Sequence, residues 1–159
     1  MPHIHELIDF TVAAYIVYQN KVLLCHHSKL DMWVPIGGHV ELNEDTDEAL
    51  LREIKEECGL EVEIVAEKPV WSSKSGEDAT KSLFQPTFVN VHQISSTHRH
   101  IVLVYLARAK SDQAILEPQE HKQLRWFTAA ELADAPLVES VRYYAGEALK
   151  TIKSSQLSQ

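Results

Sequence analysis

The chain has 159 residues, 45% of them hydrophobic and 24% charged, the make-up of one globular domain around a single core. Its formal net charge of -8 argues against general affinity for nucleic acid or an anionic membrane surface, although bound divalent cations would reverse the local sign for a phosphorylated substrate. Cys25 and Cys58 show no CxxC spacing, so they read as buried reduced thiols rather than as a disulfide framework or zinc knuckle.

The opening segment, MPHIHELIDF, lacks a basic stretch followed by an apolar run, and no segment approaches the ~20 apolar residues of a membrane span. A cytoplasmic protein without a membrane anchor is expected. Phe10–Tyr18, rich in valine, alanine and aromatics, predicts a buried strand, and Lys21–His26 returns after a Gln19-Asn20 turn as its hairpin partner. Trp33-Val34-Pro35-Ile36 is a short apolar run ending in Gly37-Gly38, where paired glycines permit a tight turn and close backbone approach to a ligand. A helix is expected from Asp45–Asp47, capped by Asp45 or Thr46, with Leu50 and Ile54 as its apolar seam assisted by Ala49 and Leu51, and Gly59 as its stop.

Val62–Val65 reads as extended, and Trp71–Gln85 as an irregular, specificity-bearing loop around Ser72–Asp78. Phe88–Ile94 and Ile101–Ala107 predict two strands joined by Ser95-Ser96-Thr97, and Leu124–Phe127 a last short strand. Thr128 and Glu131 have the spacing of a capping box, Pro136 interrupts, and Leu137–Ile152 carries helical periodicity. Residues 1–153 are expected to form the domain and 154–159 a flexible tail.

The chemistry concentrates between Gly38 and Leu60. Glu53, Glu56 and Glu57 stand at i, i+3 and i+4, so a helix puts three carboxylates on one face, where they repel unless a cation sits among them. Carboxylate oxygens are hard ligands that favour Mg²⁺ or Mn²⁺ over soft metals. Gly38, Glu44, Arg52, Glu53, Ile54, Glu56, Glu57, Gly59 and Leu60 fill every defined position of the pattern G-x5-E-x7-R-E-U-x-E-E-x-G-U, with U aliphatic. On these residues the chain resembles the Nudix hydrolase family. It departs from the common family pattern at Asn43, where many members carry glycine, and at Ile36, where proline is familiar.

The resemblance implies an α/β fold, an α/β/α sandwich with a mixed sheet between helices. It implies Mg²⁺-dependent cleavage of a pyrophosphate bond in a nucleoside diphosphate linked to another moiety, such as a nucleoside triphosphate or nucleotide sugar. Mn²⁺ is the alternative cofactor. The alternative function is a non-catalytic module of the same fold that senses a nucleotide. Glu56 and Glu57 match the family's principal metal ligands, Glu53 a ligand or general base, and the Gly37 carbonyl a backbone ligand. Glu44 and Arg52 match a structural pair that supports the site with Gly38, and Glu120 resembles a late acidic residue used as ligand or base.

Trp33, His39, Phe84 and Arg99 are taken as substrate contacts, with core packing as the competing reading for the aromatics, including Trp71 and Phe88. Lys81 is a further candidate for phosphate. His98 and His100 share a strand face, and are either contacts to phosphate or substrate, partners in a zinc site whose other ligands the sequence does not identify, or sheet histidines. The expected partner is a small-molecule nucleotide, and a homodimer is compatible with the family.

Overall fold

The valine-rich segment Ile8–Tyr18 forms strand β1 and turns through Gln19 (φ 53°) into β2, Lys21–His27. The computed structural model describes residues 4–67 and 80–156, so Trp71 and the Ser72–Asp78 loop lie outside the described residues. The apolar run expected as one segment is two strands, β3 (Met32–Val34) and β4 (Ile36–His39). Pro35 between them has no N–H to give a ladder, and the chain changes partner there: β3 pairs with β2, and β4 with β1.

Helix α1, Thr46–Cys58, begins at Asp45, whose side chain accepts from the Asp47 and Glu48 N–H groups while Glu48 reaches back to Asp45. It stops at Gly59 (φ 63°), which donates to the Ile54 and Lys55 carbonyls. Strands β5 (Val62–Ile64), β6 (Phe88–Gln93), β7 (Arg99–Ala109) and β8 (His121–Thr128) follow, then α2 (Ala129–Asp134) and α3 (Glu139–Gln156). Thr128 and Glu131 form the capping box of α2. Helix α3 extends to Gln156, into the segment read as tail.

These strands make one mixed eight-stranded sheet. Its centre is the parallel pair β1 and β7, in register from Ile8 opposite Arg99 to Val17 opposite Arg108. Strand alternation then sorts the core into two layers. Val12, Ala14 and Ile16 of β1 pack with Tyr105 and Ala107 of β7 under Ala49, Leu50, Ile54 and Cys58 of α1. Ala13, Tyr15 and Val17 pack with Val102, Val104 and Leu106 under Val141, Ala145 and Leu149 of α3. The result is the α/β/α sandwich. Cys25 and Cys58 are free and buried.

The helix seam is narrower than the sequence reading. Leu51 is 48% exposed, because one residue beyond Leu50 turns it away from the sheet. Leu50→Ala should therefore cost about 2–5 kcal/mol in a urea unfolding titration, and Leu51→Ala no more than about 0.5 kcal/mol. Equal costs for the two would refute this orientation of α1.

Candidate metal and phosphate site

Helix α1 presents its glutamates beside β4, and Gly38 makes the approach close. A β-carbon on Gly38 would overlap the Glu53 carboxylate, and one on Gly37 (φ 153°) would run into the Val12 carbonyl. The Gly37 N–H donates to Glu57 Oε2 at 2.9 Å. The other Glu57 oxygen lies 2.9 Å from His121 Nε2, at the start of β8. Glu53 and Glu57 are buried, at 3% and 4% exposure, whereas the Glu56 side chain is 60% exposed.

Arg52 organises the carboxylates. Its Nε and Nη2 donate to the two oxygens of Glu44 at 2.9 and 2.6 Å. Nη1 donates to Glu53 Oε1 at 2.8 Å and reaches Glu56 Oε2 at 3.3 Å, while Nη2 also donates to the His39 carbonyl at 3.0 Å. Glu44 is held below its ordinary carboxylate range by the hydrogen bond from Arg52. Burial pushes Glu53 up to about 7 against the lowering effect of Arg52, with Glu57 adding repulsion. Burial likewise raises Glu57, although the His121 bond pulls the other way. Burial lowers His121, but Glu57 and the neighbouring carboxylates carry its net shift upward.

Beyond these groups opens a cavity of about 270 Å³ lined by Glu56, Glu57, Glu117, Gln119 and Glu120. The fold thus brings Gly37, Gly38, Glu44, Arg52, Glu53, Glu56, Glu57 and Glu120 into one neighbourhood. The carboxylates make a strongly anionic set of oxygen donors, and the buried ones are disfavoured as bare charges, which fits a hard divalent cation.

The residues read as substrate contacts are dispersed. Trp33 is 9% exposed and packs edge-on against Phe127 at 5.0 Å, within the α3-side core. Phe84 packs against the α1-side core, and its N–H donates to the buried Asp47 at 3.0 Å. His39 gives its carbonyl to Arg52 but turns its ring to Asp9, 3.1 Å away. Arg99 opens β7 opposite Ile8, whereas Gly37 lies level with Ala13 and Val104. Lys81 pairs with Asp45 at the α1 cap. Sequence reasoning missed His121 and Glu117. The signal for His121 was its place beside Glu120 at the entry to a strand, but its contact with Glu57 is long-range.

A raised carboxylate has a definite linkage. In the metal-free protein Glu53 keeps its proton where the unfolded chain has lost it, so its contribution to stability is greatest at low pH and declines as pH rises from about 4.5 to about 7. Glu57 acts in the same direction, and Glu44 oppositely, losing its contribution as pH falls below the ordinary carboxylate range. Unfolding titrations in EDTA across this window should show a falling component in the wild type that Glu53→Gln removes. An unchanged slope in the variant would contradict the assignment to Glu53.

Comparison with known proteins places these features in a family. The family model of the NUDIX domain matches residues 9–145. A NUDIX-family hydrolase from Clostridium perfringens is 32% identical, with a TM-score of 0.75 over 91% of this chain and 97% of its own. A MutT NUDIX hydrolase from Burkholderia pseudomallei is 27% identical, with a TM-score of 0.66 over 91% of this chain and 98% of its own. An m7GpppN-mRNA hydrolase from Xenopus laevis is 36% identical over 105 residues, covering 62% of this chain and 32% of the relative. The matched region therefore spans about a third of that curated relative.

Proposed function

Because this chain belongs to the Nudix family, we propose that it is a Mg²⁺-dependent hydrolase that cleaves a pyrophosphate bond in a nucleoside diphosphate linked to another moiety. The observation that carries this reading is the pair of buried carboxylates, Glu53 and Glu57, on α1 beside an acidic cavity that Glu56 and Glu57 line. Glu56 and Glu57 would hold the cation, with Glu53 and the Gly37 carbonyl as further ligands. Bound there, it would neutralise charge on the diphosphate and lower the pKa of a water.

The chain's own groups supply position and proton acceptance. The Gly37 N–H and His121 fix both oxygens of Glu57, and Arg52 fixes Glu53. Water adds its hydroxyl to one phosphorus, and a carboxylate takes the released proton as the bridging oxygen leaves with the other phosphate. Glu53, Glu57 and Glu120 are the acceptors within reach of this neighbourhood. Glu120 lines the cavity and, among the described residues, has no side-chain tether like those of the other two.

Substrates are proposed as small nucleotides: nucleoside triphosphates, nucleotide sugars, ADP-ribose or dinucleotides. The net charge disfavours long nucleic acid, and the name of the Xenopus laevis relative adds a cap dinucleotide to the panel. No described helix is long and apolar enough to cross a membrane. A cytoplasmic location remains part of the proposal, as does a homodimer.

A Mg²⁺-dependent screen of that panel should find at least one hydrolysed compound. Glu56→Gln and Glu57→Gln should fold normally yet lose most turnover, and EDTA should abolish it. Near-wild-type turnover by both variants in saturating Mg²⁺ would sink the assignment. Tight binding of one nucleotide without turnover would favour the sensing module. Comparing pH–rate profiles of Glu53→Gln and Glu120→Gln identifies the base as the residue whose loss removes the acidic limb.

A further inference from the structure

A second donor cluster lies on the other face of the sheet. On β4, Ile36 and Gly38 face α1, so alternation sends the His39 ring to the opposite side. The same parity applies to Asp9 of β1, which continues the series of Ala13, Tyr15 and Val17, and to His100 of β7, which continues that of Val102 and Val104. Register sets Asp9 opposite His100 and Thr11 opposite His39, and His98 enters from the turn before β7. Asp9 is fully buried, and His39 and His98 are 9% and 3% exposed.

Two of the separations have the scale of neighbouring donors at a tetrahedral metal. Asp9 Oδ2 lies 3.1 Å from His39 Nε2 and 3.3 Å from His98 Nε2. Zinc bonds of about 2.0–2.1 Å place neighbouring tetrahedral donors about 3.3–3.4 Å apart. Ligand atoms of Asp9, His98 and His100 all lie within 4.8 Å of one another, and the His100 ring stacks edge-on against His39 and His98 at 4.8 and 5.2 Å.

The surrounding contacts have the character of outer support. His98 Nδ1 is 3.0 Å from the Glu6 carbonyl, which can only accept, so Nδ1 carries the hydrogen. Nε2 of His98 then faces a carboxylate oxygen, and a proton or a metal cation between them makes that contact attractive. Asp9 is oriented by N–H groups from Ile4, at 3.1 Å to Oδ2, and His5, at 2.7 Å to Oδ1. A ligating histidine whose other nitrogen donates to a backbone carbonyl is the common arrangement at zinc.

We propose that Asp9, His39, His98 and His100 form a site for one zinc-class transition-metal ion, separate from the carboxylate site. Three imidazoles and one carboxylate suit Zn²⁺, or Co²⁺ in its place, and suit Mg²⁺ poorly. His92, exposed on β6 and paired in register with His100, lies at the approach to the cluster.

The test uses the full chain, stripped with EDTA, equilibrated with Zn²⁺, desalted and assayed for metal by atomic emission. Wild type and Glu56→Gln should each retain one zinc per chain. His98→Ala and His100→Ala should bind at least about tenfold more weakly, the lower end of the loss even an outer partner causes. Independently of any variant, the stripped wild type loaded with Co²⁺ should show the intense visible bands of four-coordinate cobalt. Absence of retained zinc from the wild type would overturn the proposal and assign the Asp9–His98 contact to a proton. Loss of zinc in Glu56→Gln but not in the histidine variants, or a pale six-coordinate cobalt spectrum, would also overturn it. These readouts require no turnover, so they stand apart from the proposed hydrolase activity.

Discussion

The arrangement around α1 depends on one guanidinium. Arg52 grips both oxygens of Glu44, one of Glu53, one of Glu56 and the carbonyl of His39, so it joins the β4–α1 loop, the helix and the last residue of β4. A planar fork with five fixed donors can do this, whereas an ammonium group with its three donors cannot. The interaction also explains how the helix tolerates Glu53 and Glu56 on one face. Glu53 and Glu56 stand at i+1 and i+4 from Arg52, which supplies positive charge from the protein side and leaves the cavity side anionic.

Glu53 and Glu57 are nevertheless buried in conditions that oppose their ionisation. Gly38 makes that possible by leaving out the side chain that would separate β4 from the helix, and Gly37 by letting β4 lie close against Val12 of β1. The cost of bringing like charges together is then met by the Gly37 N–H, His121, Arg52 and, on the proposed reading, a divalent cation. Glu56 differs because it is exposed, so its charge is available toward the cavity without the same desolvation.

Local features were legible in the sequence because their causes are local. The cap at Asp45, the stop at Gly59, the capping box at Thr128 and the carboxylate face of α1 each depend on residues within about one helical turn. The family pattern gave the layered architecture. What the residues did not disclose was long-range: the parallel pairing of β1 with β7, and the change of partner at Pro35. Leu51 was assigned to the seam because hydrophobicity alone does not distinguish it from Leu50, whereas a turn of one residue does. Trp33 shows the same limit. An aromatic beside a glycine pair can equally be a ligand platform or core, and its contact with Phe127, remote in sequence, places it in the core.

His98 and His100 were visible as a pair, but their partners were not, since Asp9 and His39 come from two other strands. The two donor sets meet at consecutive residues of β4. Gly38 faces the hard oxygen donors of α1, and His39 points to the imidazole-rich cluster on the opposite face. A strand separates successive side chains by its pleat, so two chemistries of different hardness can sit back to back without sharing a ligand. They are still mechanically joined, because Arg52 holds the His39 carbonyl while the His39 ring contacts Asp9. A shift of β4 that tightened one side would therefore be felt by the other through backbone rather than through charge.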